Sequence, residues 1–312
     1  MIRFVIDRTS TCFQCLALGV TAAALLLSAG CASTASRQKS PQSHATAGAS
    51  PNANLAGSFE DAVARGDEAW NAGQADMAVY LYIQALSFRP RDIDTLGKLG
   101  SIEQAQGNLE LAARAFELAA NADPGDPRLS GRLGLIQMAL GNEDEALKWL
   151  RLSVNAGATD WRVLDGLGVI ESRGGHYIDA LQYCAQAVAL APGQAVPLLH
   201  RGEALYGSGN YLLAEDAARG VLRIGNRPDA WRLLGQIQAK RRTYSAAVDS
   251  FLQAMDAANA YNTTGKMAME NGDNAMALRF FEKAAFASPV YLTEAQHNAA
   301  VARERLSSTV NP

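Results

Sequence analysis

One spacing governs this chain. Gly66, Gly100, Gly134, Gly168, Gly202, Gly235 and Gly265 follow one another at intervals of 34, 34, 34, 34, 33 and 30 residues. Seven residues after each stands Gly73, Gly107, Gly141, Gly175, Gly209 or Gly272, with Arg242 once in that place. Ala78, Ala112, Ala146, Ala180, Ala214, Ala247 and Ala277 keep the same phase. So do the aromatics Tyr82, Phe116, Phe251 and Phe281, and then Ala85, Ala119, Ala187, Ala254 and Ala284. Pro90, Pro124, Pro192 and Pro289 close four of the units. A fixed period of this length implies stacked supersecondary units, each burying its apolar face only against its neighbours. Small residues at regular points predict two antiparallel helices per unit that cross closely, where a larger side chain would overpack by about 1–3 kcal/mol. The second glycine predicts a turn with positive φ. Proline ends the second helix, and the aromatic is expected to fill the gap between one unit and the next.

This array closely resembles the tetratricopeptide repeat, from Phe59 to about Val290. The resemblance implies an all-α fold, a right-handed superhelical solenoid of about seven helix pairs with a C-terminal capping helix. Seven repeats are assigned to residues 58–290. The run 291–306 has helical spacing and ends polar, as a solvating last helix does, so residues 291–312 are assigned to a capping helix and tail. Two units depart from the pattern. Unit three has Leu150, Ser153 and Ala158, and unit five has Ala218, Val221 and Asn226, where aromatic, Ala and Pro are usual. The junction after unit six is shortened, and the solenoid is expected to be least regular around residues 257–261.

The N-terminus has a different character. Arg3 and Arg8 precede an apolar run over residues 12–27 that ends in Ser28, Ala29 and Gly30. Charge, apolar stretch and small residues in this order are those of an export signal, and the stretch is barely long enough to span a bilayer. Leu27-Ser28-Ala29-Gly30-Cys31 resembles a bacterial lipobox. That resemblance implies cleavage after residue 30 and lipidation of Cys31; Ala32 in place of Asp then implies transfer to the outer membrane. Residues 1–30 are therefore assigned to a lipoprotein signal peptide, and residues 31–57 to the lipidated cysteine and a disordered tether rich in Ser, Ala, Thr and Pro. Such a tether spans roughly 25–30 Å as a flexible coil. Cys12 and Cys15 have redox or metal spacing but fall in the leader, and only Cys31 and Cys184 remain after cleavage.

No catalytic constellation is present in the sequence. His44, His176, His200 and His297 are scattered, with no H-E-x-x-H arrangement, and there is no Walker loop or nucleophile elbow. Gly166-Leu167-Gly168 falls inside a repeat helix, and Cys184 holds the aromatic position of unit four, where a buried filler is expected. The tryptophans Trp70, Trp149, Trp161 and Trp231 are assigned to inter-helix packing. With 28 Lys and Arg against 31 Asp and Glu, the chain lacks the basic excess of a nucleic-acid binder. No cofactor, metal or small-molecule substrate is expected, and the protein is read as a non-catalytic scaffold.

The remaining candidate is a groove. In the resembling family the second, fifth, ninth and twelfth residues of each repeat face the concave side. These positions give Arg128, Leu135 and Met138 in unit three, and Arg162, Asp165 and Val169 in unit four. They give Leu199, Glu203 and Tyr206 in unit five, Arg232 and Gln236 in unit six, and Asn262 and Lys266 in unit seven. The mixture suits an extended or helical peptide. The Lys and Asn clamp by which chaperone-docking members hold a C-terminal carboxylate is missing, since units one and two offer Val63, Asp67, Gly97 and Ser101. Lipobox, tether and repeat array together resemble envelope lipoproteins of the TadD type, which serve assembly of Flp (tight-adherence) pili, or the related pilotins of type IV pili. That implies an outer-membrane protein facing the periplasm of a Gram-negative bacterium, with a secretin or pilus component as partner. An adaptor for peptidoglycan synthases or hydrolases is the alternative. Cys31→Ser is expected to move the protein from the membrane fraction to the soluble periplasmic fraction; a variant that still sediments with membranes would remove the lipid anchor.

Overall fold

The computed structural model describes residues 55–288 and 292–310. The leader, Cys31, the tether as far as residue 54, and Pro289 lie outside the described residues. The rest is helical, with no strand among the described residues. Seven antiparallel pairs follow in order. They are α1 (Phe59–Asn71) with α2 (Ala75–Phe88), α3 (Ile93–Ala105) with α4 (Leu109–Ala122), and α5 (Pro127–Ala139) with α6 (Glu143–Asn155). Next come α7 (Trp161–Arg173) with α8 (Tyr177–Leu190), and α9 (Ala195–Gly207) with α10 (Tyr211–Ile224). The series closes with α11 (Pro228–Lys240) and α12 (Tyr244–Leu252), α13 (Ala257–Glu270) and α14 (Asn274–Ala287), and a last helix α15 (Leu292–Val310).

Both ends of each unit are set by local chemistry. Ser58, Asp92, Asp126, Asp160 and Asp256 stand at the N-caps of first helices, and each side chain accepts from a backbone N–H of the first turn. Such a cap contributes about 1 kcal/mol. First helices end in one recurrent turn, in which the residue after the second glycine donates back five positions, as Gln74 N to Ala69 O at 2.9 Å and Asn108 N to Glu103 O at 2.9 Å. That turn needs a left-handed residue. Gly73, Gly107, Gly141, Gly175, Gly209 and Gly272 have φ between 74 and 83°, and Arg242, alone among non-glycines of the described chain, has φ 63°.

Within each pair the core is a glycine facing a ring. A Cβ placed on Gly66, Gly100, Gly235 or Gly265 would fall 2.7 to 2.8 Å from Tyr82, Phe116, Phe251 or Phe281 respectively. The aromatic therefore fills a notch in its own pair, which corrects the expectation that it serves only the gap between units. The degenerate units solve the same problem with other groups. Leu150 covers Gly134 and Cys184 covers Gly168, while in unit five Leu233 of the following helix enters beside Gly202 because Ala218 is too short. Ala78, Ala112, Ala146, Ala180, Ala214, Ala247 and Ala277 are wholly buried at the crossings. In unit three Ser153 takes an alanine position, and its buried hydroxyl donates to Pro127 O at 2.6 Å.

The shortened junction differs from expectation. Residues 257–261 form the regular first turn of α13, capped by Asp256. The missing length comes out of α12, which has nine residues where the other second helices have 13 or 14. Ala254, in phase with buried helical alanines elsewhere, consequently lies in a turn and is half-buried. A strong cap fixes where α13 starts, so the deletion falls on the less constrained helix end before it. At the C-terminus, α15 lays Ala295, Ala299 and Ala302 against the last pair. All core clusters lie within residues 59–302, so the array is complete without the leader. Gly100→Ala is expected to lower the melting temperature by roughly 2–8 °C, for an overpacking cost of about 1–3 kcal/mol. In a Phe116→Ala background the same substitution should cost much less, a coupling read by a thermal double-mutant cycle; additive losses would refute the ring-in-notch contact.

Candidate partner-binding groove

The first helices form the inner face. From α5 onward each first helix touches the next one, α5 with α7, α7 with α9, α9 with α11, α11 with α13 and α13 with α15, and second helices have no comparable contact. Curvature therefore brings first helices together, and their outer residues line the concavity.

Three stretches of this face differ in chemistry, and the core decides where each begins. In units one and two the ring in its notch is covered by a cation from the next unit. Lys98 Nζ lies 5.7 Å from the centre of the Tyr82 ring, and the Arg132 guanidinium 5.6 Å from that of Phe116. Around them opens a chamber of about 490 Å3, lined by Asp67, Trp70, Ile93, Asp94, Gly97, Lys98, Ser101, Ile102, Asp126, Arg128, Leu129 and Arg132, with Tyr82 and Phe116 at its floor. Lys98 donates to both oxygens of Asp67, at 2.7 and 2.8 Å, and the Tyr82 hydroxyl donates to the same carboxylate at 2.6 Å. Burial works to raise the Asp67 carboxyl, but these donors outweigh it and hold it below the usual range. Arg132 donates to Ser101 Oγ at 2.8 Å, and among the described residues it makes no direct ion pair with a carboxylate, its charge acting on Asp160 only at longer range.

The pattern breaks in unit three. Leu150 replaces the ring, and the cation position of unit four is Gly166, over which Leu135 and Met138 pack at 3.3 and 3.5 Å from where its Cβ would stand. With half-buried Val169 on the same helix, this stretch is apolar. Units four to six are acidic and histidine-bearing. His200 Nδ1 lies 2.9 Å from both oxygens of buried Asp165, and Glu203 stands one turn along α9. Burial alone would lower the His200 imidazole, but its bond to Asp165 and the charge of Glu203 prevail and raise it. Loss of water raises the Glu203 carboxyl, against the pull of His200, Arg173 and Arg232. Burial likewise pushes the Cys184 thiol up to about 12, which leaves it un-ionised and unreactive at neutral pH.

The comparisons with known proteins follow this geometry. Two family models of the tetratricopeptide repeat match, over residues 103–165 and 199–262. The chain carries tetratricopeptide repeats. Its helices stack as a tetratricopeptide superhelix, an architecture that mediates protein–protein interaction and typically serves as a non-catalytic scaffold. Comparison with curated protein sequences gives no match. Among similar solved structures is a tetratricopeptide repeat protein from Parabacteroides merdae, 17% identical with a TM-score of 0.55, covering 81% of this chain and 99% of that one. The MamA protein is 19% identical with a TM-score of 0.50, covering 53% and 91%. The pilF protein of Pseudomonas aeruginosa is 21% identical with a TM-score of 0.50, covering 67% and 96%. At these identities the likeness is one of fold.

The tetratricopeptide framework brings some of the candidate residues together and separates others. Arg128 and Arg162 lie at a second concavity of about 260 Å3 with Arg132. Each also grips the N-cap aspartate of its own helix, Arg128 to Asp126 and Arg162 to Asp160, both at 2.8 Å. Their bonds lead the forces that depress Asp126, and in Asp160 they overcome an opposing burial penalty. Glu203, Arg232 and Gln236 are exposed along α9 and α11, and half-buried Tyr206 packs against Tyr211, ring centres 5.7 Å apart. Leu199, placed in the groove by its repeat position, is a core residue at 5% exposure, because unit five lacks an aromatic and draws in aliphatic neighbours. Asn262 and Lys266 are engaged by the last helix. Lys266 Nζ lies 2.6 Å from Glu294, and Asn262 donates to Glu294 at 3.1 Å and accepts from Asn298 at 3.0 Å.

Sequence reasoning assigned Trp70 to inter-helix packing, took Asp67 and Ser101 only as positions without the carboxylate clamp, and passed over Lys98 and Arg132. Trp70 is the twelfth residue of unit one, the same position that marked Tyr206, and it is 42% exposed. The repeat register held that signal. Lys98 and Arg132 occupy the sixth position, which faces the groove only because a ring lies beneath it. Among the described residues no group of three or more His, Cys, Asp or Glu side chains is placed to hold a metal ion. The raised His200 pKa has a pH consequence. Its stabilisation is complete below the ordinary imidazole value of about 6.5 and is lost as pH rises through the higher folded value. Denaturant unfolding should therefore show wild type losing stability relative to His200→Gln as pH rises above the ordinary imidazole value of about 6.5; parallel profiles would rule out the Asp165–His200 pair as the cause.

Proposed function

We propose that the protein is a scaffold lipoprotein of the outer membrane, facing the periplasm, that holds a segment of a partner protein along the concave face of units one to four. The chamber around Arg132 carries this reading. It offers an exposed indole, two buried rings and a guanidinium in no direct ion pair with a carboxylate among the described residues, next to an apolar stretch formed by Leu135, Met138 and Val169. Trp and Arg are the side chains that most often anchor protein interfaces. The complementary segment presents an acidic side chain to Arg132, an apolar one to Trp70, and further aliphatic residues toward unit four.

A lipobox-like leader, a tether and an interaction solenoid in this order support a partner in assembly of a pilus, and specifically a secretin or pilus subunit at the outer membrane. The TadD-type resemblance points the same way.

Photo-crosslinkers placed at Trp70 and Tyr206 in cells test both levels. Capture of a secretin or pilus component supports assembly, whereas capture of a peptidoglycan synthase or hydrolase puts the adaptor reading in its place. Capture from neither site, with capture from Ile178 on the opposite helices, would overturn the groove. Arg132→Ala is expected to weaken capture at Trp70 by about tenfold, and Arg132→Lys by less, because a single well-placed anchor is worth 1 kcal/mol or more.

A further inference from the structure

The two ends of the solenoid are finished unequally. A repeat array needs terminal units with a polar outer face. At the C-terminus α15 meets that need: Ala295, Ala299 and Ala302 are buried, and Thr293, Gln296, His297, Arg303, Glu304 and Arg305 are exposed. At the N-terminus no helix of the described chain plays this part. The edge is α2, whose sequence ADMAVYLYIQALSF has one charged residue, Asp76. A helix apolar all round belongs in an interior. Yet only Ala78, Leu81, Tyr82 and Ala85 are buried, while Met77, Tyr80, Ile83 and Phe88 are 40 to 54% exposed.

The chain that enters the array runs beside this surface. Ala56 N donates to Gln84 Oε1 at 3.1 Å. Met77, Tyr80, Gln84 and Phe88 fall at helical spacing on one stripe, with Ile83 at its margin. Leu55, 58% exposed, precedes the contact with Gln84. The stripe is about 20 Å long. It ends at Arg89 and Arg91, both exposed, with the Arg89 guanidinium 4.1 Å from the centre of the Phe59 ring. Residues 32–54, which precede Leu55, are rich in Ser, Ala, Thr and Pro and without apolar period in sequence.

We infer that the outer stripe of α2, together with Leu55, is a membrane-docking surface. The tether leaves the array beside this stripe, and on the anchored reading given above that face is nearest the bilayer. Apolar side chains and a tyrosine along a helix, with phenylalanine and arginine at its end, match the boundary between headgroups and acyl chains. The helix lies on the surface and does not cross it. Docking there holds the solenoid close to the membrane and leaves the first helices free for a partner.

The test uses a chain beginning at Ala32, which contains the complete array and has neither leader nor Cys31, so its outcome is independent of lipidation. Flotation with vesicles of phosphatidylethanolamine and phosphatidylglycerol is expected to carry the wild-type chain upward. The triple variant Tyr80→Ser, Ile83→Ser, Phe88→Ser should bind about tenfold less. Ile178→Ser with Leu212→Ser, which removes exposed aliphatics from α8 and α10, should bind as wild type. Circular dichroism melts confirm that both variants remain folded, as substitution at exposed positions allows; Tyr80→Ser alone serves as the milder variant if the triple does not fold. Absence of flotation, or equal loss in both variants, overturns the proposal. A concentration-dependent dimer in light scattering that the triple variant abolishes, without vesicle binding, also overturns it and makes the stripe a contact between two copies. Lipid anchoring is tested separately by Cys31→Ser in the full chain, so either result can fail without the other.

Discussion

The close approach of a glycine to the ring sixteen residues later is the contact on which the rest of this solenoid depends. Removing the side chain from the first helix makes a notch, and a Tyr or Phe of the second helix fills it at 1% exposure or less. That contact sets the distance at which two helices pair, and hence which residues can stand at their crossing. The wholly buried alanines are its consequence. Where the ring is absent, the notch is still filled, by Leu150, by Cys184 or by a leucine from the next unit. Close packing tolerates a change of filler far better than it tolerates a void.

The groove inherits its chemistry from this core. In units one and two the ring in the notch is met by a cation of the following unit. Lys98 over Tyr82 and Arg132 over Phe116 create the charged chamber, and the chamber stops where Leu150 replaces the aromatic. Beyond it the same helix face carries leucine, methionine and valine, then the Asp165–His200 pair. Variation in one buried position therefore writes the order charged, apolar, acidic along the concave surface. Because each unit packs only within itself and against its immediate neighbours, each stretch can vary without disturbing the others.

Much of the fold was legible in order of residues. Small residues at fixed phase imply close helix crossings, glycine before a new helix implies a left-handed turn, and proline implies a stop. The groove was less legible. Repeat position correctly marked the inner helices, but burial was decided by neighbours. Leu199 is drawn into the core of a unit that lacks its ring, and Asn262 and Lys266 are taken by Glu294 and Asn298 from a helix some thirty residues later. In the other direction, Lys98 and Arg132 matter for the groove through contacts that no spacing rule within one unit contains.

By itself the sequence determined the period, the number of helix pairs, the placement of turns and the residues at each crossing, since these follow from sterics within one unit. Only the tertiary structure decided which inner-face residues remain available to a partner, where the shortened junction takes its missing turn, and which end helix keeps an exposed apolar stripe among the described residues. Those outcomes depend on packing between units. There a side chain's surroundings are supplied by residues about thirty positions away, and competition among fillers, ion pairs and caps settles what each one touches.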